Sequence, residues 1–143
     1  MLEKPQADEL AVIRVLLEAC LLPYLDLAPQ HLEHFLTYKT DQGIAGVVGL
    51  EINGEAALLR SLAVAPRFRG QGVGCRLVEE IEAYAGEHGV KDIYLLTTTA
   101  ADYFAGRGYR AIARSKAPAE IQATEEFTSI CPDSAVCMYK AVS

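Results

Sequence analysis

Neither the cysteines nor the positive charges of this sequence are arranged as a metal or nucleic-acid site would need. Its four cysteines, Cys20, Cys75, Cys131 and Cys137, include no C-x-x-C pair and show no metal-ligand spacing with the three histidines. That excludes a zinc module and reads as free thiols in a reducing compartment. Basic residues are too few: 13 Lys and Arg against 19 Asp and Glu leave a net charge of −6, and a nucleic-acid partner would demand a basic footprint. No apolar run reaches membrane-spanning length, and residues 1–5 lack the charged-then-apolar layout of a signal peptide. The expectation is a cytoplasmic protein that engages neither membrane nor nucleic acid. There is no repeat, no low-complexity tract and no linker. Residues 1–143 therefore read as one domain, long enough to bury a core.

What is present reads as a mixed α/β sheet. Residues 1–5 suit an edge strand. Apolar positions Leu10, Ile13, Leu16, Leu17 and Cys20 fall at helical spacing, predicting a helix over 7–22 that ends before Pro23. Tyr24 and Asp26 fall in the connection that follows. Pro29 suits the first position of a short helix through His34. A meander comes next, with strands at 35–39, 44–52 and 56–64 and a hairpin signal at Asn53-Gly54. The helix after it carries Leu77, Val78, Ile81, Tyr84 and Ala85 on one stripe and stops at Gly89. A buried strand over 91–97 follows at βαβ spacing, so it is expected parallel to the strand before the helix. A short helix over 100–105, a strand over 109–114, a helix over 118–128 closed by Cys131-Pro132, and a strand over 134–142 complete the order.

The chain is organised around residues 58–77. An apolar strand runs into Arg67-Phe68-Arg69-Gly70-Gln71-Gly72-Val73-Gly74-Cys75 and then into a helix. Glycines at 70, 72 and 74 let the backbone approach a ligand and aim successive N–H groups at it. The helix start adds free N–H groups and the positive end of its dipole. Arg67, Arg69 and Arg76 add charge. A phosphate or pyrophosphate is the natural guest. The spacing is neither a Walker A loop nor a dinucleotide fingerprint, since Cys75 and Leu77 stand where the latter needs glycine.

The R-x-x-G-x-G run Arg69-Gly70-Gln71-Gly72-Val73-Gly74, after a strand ending Leu62-Ala63-Val64-Ala65-Pro66, resembles the acetyl-CoA motif of the GNAT superfamily of N-acetyltransferases. The element order matches over nearly the whole chain. The resemblance implies a GNAT fold: a mixed, mostly antiparallel central sheet of six to seven strands, splayed between the fourth and fifth and flanked by helices. It also implies that backbone amides from Arg69, Gly70, Gln71, Gly72, Val73, Gly74 and Cys75, helped by Arg67 and Arg69, hold the pyrophosphate of acetyl-CoA. Leu62, Ala63 and Val64 would pair by main chain with the pantetheine arm. A backbone N–H near Leu62 and Val64 would polarise the thioester carbonyl. Thr98 and its neighbours Thr97 and Thr99 either hydrogen-bond the pantetheine or cap the next helix. The implied reaction is acetyl transfer to the primary amine of a small molecule, and the family habit implies a homodimer through the last strand or the 115–132 insert. The rival reading is an acyl-CoA-binding module without chemistry.

Two catalytic positions depart from the family pattern. The strand positions facing with Leu58 are Leu58, Arg60 and Leu62, so the carboxylate base the family often places there is missing. Glu51 and Glu55 read as solvated surface charges. The general-acid tyrosine, four residues before the glycine of a G-Y pair, falls on Phe104. Either the adjacent Tyr103 substitutes, or water does, or the thiolate leaves unaided, while Phe104 packs along the cofactor. Arg60 in an apolar strand needs a partner. It holds either a substrate carboxylate or a sheet neighbour in a salt bridge. Tyr24, His31 and His34 read as substrate lining or as surface. The run Leu59-Arg60-Ser61-Leu62-Ala63-Val64, with residues 97–104 and an insert ending Cys131-Pro132, resembles the GNAT branch associated with arsenic resistance. That resemblance raises arsenic binding by Cys131 and Cys137, against a plain core role for Cys137.

Overall fold

Apolar spacing and helix stops, taken together, account for most of the chain path. The computed structural model describes residues 2–130 and 134–142. Strands are β1 (Leu2–Glu3), β2 (Phe35–Thr40), β3 (Gly43–Asn53), β4 (Ala56–Val64), β5 (Asp92–Thr97), β6 (Arg110–Ile112) and β7 (Val136–Ala141). Helices are α1 (Leu10–Ala19), α2 (Val73–Glu87), α3 (Ala101–Gly106) and α4 (Ala119–Gln122). The strands form one sheet in the order β1-β2-β3-β4-β5-β7-β6. β4 and β5 are parallel, through Ala56↔Asp92, Ala57↔Ile93 and Leu58↔Tyr94, whereas β1–β2, β2–β3, β5–β7 and β6–β7 are antiparallel. The expected mixed sheet, with its one parallel step at the fourth and fifth strands, is what forms.

Three helices end the same way. In α2 the Val90 N–H reaches the Ala85 carbonyl (2.9 Å) and Gly89 that of Gly86 (3.1 Å), with Gly89 at φ +80°. This is the Schellman stop expected of that glycine. In α3 the Tyr109 N–H donates to Phe104 (3.0 Å) and Gly108 to Ala105 (3.2 Å). α1 ends by the identical bonds, Leu22 to Leu17 (2.9 Å) and Leu21 to Glu18 (3.0 Å), with Leu21 in the glycine role at φ +60°. So α1 stops at Ala19 rather than running toward Pro23. No glycine marks that stop, which is why periodicity overshoots it.

The chain divides into two units, each with its own core. The first runs through Glu51 and takes in Arg60–Tyr84. Its core joins Ile13, Leu17, Leu27, Leu32, Phe35, Val47 and Ala63. Here α2 is seated by a glycine. A Cβ at Gly46 would stand 2.8 Å from Leu77 Cδ1 and 3.0 Å from the Ala63 carbonyl oxygen, so only a bare backbone lets the start of α2 pack down on β3. The second unit takes Ile52–Leu59 and the chain from Ala85 onward. Ala56, Leu58, Tyr94, Ala117 and Ile121 form its core.

Three expectations about local structure are corrected. The helix over 118–128 is only α4 plus a π-turn at Glu126–Ile130. Thr124 intervenes, its hydroxyl bonding back to the Ile121 carbonyl (2.7 Å), a local alternative to helix continuation. β6 covers Arg110–Ile112 alone, because a 3-10 turn begins at Arg114. Of the hairpin pair, Gly54 takes a positive φ (+64°) while Asn53 closes β3. Cys131-Pro132, read as the end of the insert, lies outside the described residues.

Candidate functional site

The glycine turn is built as its residues require. Pro66 opens a 3-10 turn over Pro66–Phe68, closed by the Phe68 N–H on the Ala65 carbonyl (2.9 Å). Gly70 and Gly72 then take φ +78° and +81°. A Cβ at either would meet nothing within 4 Å, so the space before both is open. The Arg76 N–H bonds the Gly72 carbonyl (3.0 Å), the first rung of α2. The N–H groups of Val73, Gly74 and Cys75 precede that rung and have no partner within the helix. The first turn of α2 carries no acidic side chain. Donors, dipole and open space lie together at this turn, an arrangement that suits an anion.

The surrounding side chains are arranged around this backbone. Gln71 Nε2 donates to the Arg67 carbonyl (3.1 Å), and Arg67 reaches the Gln42 carbonyl (3.2 Å) while lying over the Phe68 ring (5.2 Å). Arg69 folds back. Its Nε donates to the Val64 carbonyl (3.1 Å) and its Nη2 approaches Cys20 Sγ (3.3 Å), whose thiol also faces that carbonyl (3.7 Å). Arg76 pairs with Glu80 at the surface (3.5 Å). The last turn of β4 stays tied to β3 by Ala65 N–H on the Ala45 carbonyl (2.8 Å). Ala63 is buried there, and Leu62 and Val64 are half-buried.

Inside β4, Ser61 has φ +62°. A left-handed non-glycine residue costs about 1–3 kcal/mol and persists only where its surroundings hold it. It also interrupts the strict alternation of the strand. The parity that grouped Leu62 with Leu58 and Arg60 therefore does not carry past Ser61.

Arg60 settles between its two alternatives. Its side chain is 0% exposed. Nη1 and Nη2 hold the two oxygens of Asp26 (2.5 and 2.7 Å), Nη1 also meets Glu51 (2.8 Å), and Nε donates to Ser61 Oγ (3.1 Å). The guanidinium is an internal salt bridge, so the substrate-clamp expectation for Arg60 is corrected. Glu51 is corrected too: it belongs to this cluster and is not a solvated charge. Burial pushes the Asp26 carboxyl up, but the hydrogen bonds and charge of Arg60 outweigh it and hold Asp26 below the usual carboxylate range. Sequence reasoning missed this partnership. The one available signal was the arginine itself, whose demand for an acid did not say which. Glu55 does lie at the surface, paired with Lys91 (3.1 Å).

His31 and His34 each make a hydrogen bond within the first unit. His31 Nδ1 accepts from the Ala28 N–H (3.0 Å), and His34 Nδ1 pairs with the Tyr84 hydroxyl (2.8 Å). Tyr24 packs half-buried against the first unit's core.

In the second unit, Thr97 Oγ1 accepts from the Ala100 N–H (2.9 Å) at the start of α3. This bond ties the N-cap residue of α3, Ala100, back to β5 without capping the helix itself, and Thr98 is exposed. Phe104 is 5% exposed and meets the Tyr109 ring edge-on at 5.4 Å. This is the apolar contact that accompanies a Schellman stop, so the G-Y pair and Phe104 together end α3. Tyr103 is half-buried beside Phe104 (5.2 Å). Leu58, on β4, is wholly buried. Cys20, Cys75 and Cys137 stand outside any disulfide, and burial pushes Cys137 up, disfavouring a thiolate, although the Arg114 charge opposes it. Cys137 is a core residue; Cys131 lies outside the described residues. No His/Cys/Asp/Glu group among the described residues could hold a metal, and no helix is long and apolar enough to cross a membrane.

Residues 7–111 match the family model described as Acetyltransferase (GNAT) family. An uncharacterized N-acetyltransferase of Chlorobaculum tepidum is 40% identical over 65 residues, which cover 46% of this chain and 41% of that protein. An amino-acid acetyltransferase of Pseudomonas fluorescens is 38% identical over 65 residues, 46% of this chain and 15% of that protein. The match thus spans less than half the length of these relatives. Among solved structures, N-acetylglutamate synthase of Neisseria gonorrhoeae, complexed with coenzyme A and N-acetyl-glutamate, superposes over 100% of this chain and 35% of its own with TM-score 0.86 at 18% identity. Rv2747 of Mycobacterium tuberculosis, in complex with CoA, superposes over 99% and 98% with TM-score 0.81 at 17% identity. These likenesses fix the fold.

Proposed function

The chain belongs to the acetyltransferase (GNAT) family, and from that premise we propose that it moves the acetyl group of acetyl-CoA to the primary amine of an amino-acid-like small molecule. The observation that carries this reading is the pair of left-handed glycines, Gly70 and Gly72, facing open space at the acid-free start of α2. A diphosphate fits there: the backbone supplies donors and no side chain intrudes. The amino-acid-like acceptor is supported by relatives named amino-acid acetyltransferases.

When bound, acetyl-CoA supplies the thioester, and the amine nitrogen forms its C–N bond to the acetyl carbon as the C–S bond breaks. The N–H groups of residues 73–75 hold the pyrophosphate. Arg69, exposed and resting on the Val64 carbonyl, would supply positive charge to the phosphates, and the Val64 carbonyl would accept from the pantetheine amide. Thr98, exposed just past β5, would offer a hydroxyl to the pantetheine. The backbone of Leu62 and Val64 orients the thioester carbonyl and polarises it. Tyr24 borders the acceptor side. With Leu58 apolar, the amine proton passes to solvent. The Tyr103 hydroxyl donates a proton to the departing sulfur, a modest aid because thiols have pKa values near ~8.5.

Thiol release from acetyl-CoA over a panel of amines tests the reading. The panel covers acidic amino acids, their arsenic- and phosphorus-bearing analogues, and polyamines. Amine-dependent release on an amino-acid-like member supports it, and preference for the arsenic-bearing member supports the narrower resistance branch. Tight CoA binding with no release on any amine makes the chain a binding module instead.

A further inference from the structure

We propose that Asp26, acting through Arg60 and Ser61, is a positioning residue that sets the backbone of β4 where the acetyl group is received. The inference rests on the reading above that Leu62 and Val64 meet the thioester. Among the described residues only Leu21 and Ser61 are non-glycine residues with positive φ. Leu21 is explained by the stop of α1. Ser61 has no such local reason, since it lies inside a strand.

What holds it is a relay. Asp26, in the connection between α1 and the 3-10 helix Pro29–His34, binds both Nη atoms of Arg60. A guanidinium is planar and rigid, so fixing its two Nη atoms fixes the direction of Nε. That Nε donates to Ser61 Oγ, with Arg60 2% and Ser61 6% exposed. Glu51, on β3, shares Nη1 and steadies the plane. The next residue is Leu62. Stability does not explain the cluster, because a buried ion pair is often matched or bettered by apolar residues of similar size. A conformational role does explain it: a carboxylate outside the sheet selects the turned form of Ser61 and so aims the amides that follow.

The test compares Asp26→Asn with the same variant carrying Ser61→Gly. Two readouts are taken, amide hydrogen exchange in the unliganded protein and the kcat and KM of thiol release. In Asp26→Asn, exchange at residues 62–64 should rise at least tenfold, with α1 and α2 amides within twofold of wild type. Its kcat should fall at least tenfold while the KM for acetyl-CoA moves less than threefold. Adding Ser61→Gly should recover kcat to within threefold of wild type, because glycine takes positive φ unaided. Unchanged exchange and kcat in Asp26→Asn, or no recovery in a folded double variant, overturns the proposal. Should Asp26→Asn not fold, Ser61→Ala, which deletes only the Oγ acceptor, is compared with Ser61→Gly on the same two readouts. If the wild type releases no thiol with any amine, the catalytic reading fails by itself, and exchange at residues 62–64 still decides the relay.

Discussion

The Phe35 ring occupies the space that a side chain at Gly49 would need. The two residues are partners across β2 and β3, and a Cβ at Gly49 would stand 2.1 Å from Cε1 of a ring that is wholly buried. Gly49→Ala should therefore destabilise the protein by about 1–3 kcal/mol through overpacking, read by denaturant unfolding. Combining it with Phe35→Leu should cost less than the sum of the two single changes, since the shortened side chain makes room.

Gly72→Glu should abolish CoA binding by calorimetry, placing a carboxylate in the anion space. The positive φ at 72 makes any side chain there cost about 1–2 kcal/mol of stability. Gly54→Glu is the control. It has the same backbone handicap (φ +64°) and open surroundings, yet it lies on the β3–β4 hairpin and should leave CoA affinity unaltered. Equal loss in both variants would remove the pyrophosphate assignment.

Arg60→Met should destabilise by about 3–5 kcal/mol, because Asp26 and Glu51 would be left facing each other without their cation. Denaturant midpoints measure it. Adding Asp26→Leu and Glu51→Gln should recover most of that loss.

Acid should weaken the fold through Asp26 and Glu9. Desolvation acts to raise both, but Arg60 lowers Asp26, while the Gln6 N–H and Lys39 lower Glu9. A carboxyl lowered on folding adds stability that is complete above its unfolded pKa, near ~4, and lost as pH falls through the folded value. Stability should thus be level above about pH 5 and decline below pH ~4. The decline should be shallower in Asp26→Asn, as followed by urea titration at each pH.

Tyr103→Phe should lower kcat by about 10²-fold, the low end for a proton donor, with the KM for acetyl-CoA steady. A kcat within twofold of wild type would assign the sulfur's proton to water.

Much of this protein follows from local sequence. The 3.6-residue stripe of α2, the apolar residues either side of Arg60-Ser61 in β4 and the glycines at 70, 72 and 89 each act within a few residues. Helix, strand and turn could therefore be placed before any fold was known. The glycine turn was legible for the same reason, being a stretch of backbone whose geometry its own glycines dictate. Other features depended on residues distant in the chain. Asp26 lies 34 positions and Glu51 nine positions from Arg60, so the partners that make this arginine an internal strut are out of reach of any local reading. Leu21 and Ser61 adopt glycine's conformation without being glycine, held by a helix stop and by a buried hydrogen bond. Phe104 closes α3 on Tyr109. Local sequence sets the left-handed turn at Gly70 and Gly72, because glycine adopts that backbone conformation without help from distant residues. Only the tertiary structure decided which charges remain for chemistry, because a buried charge takes whichever partner packing brings within reach.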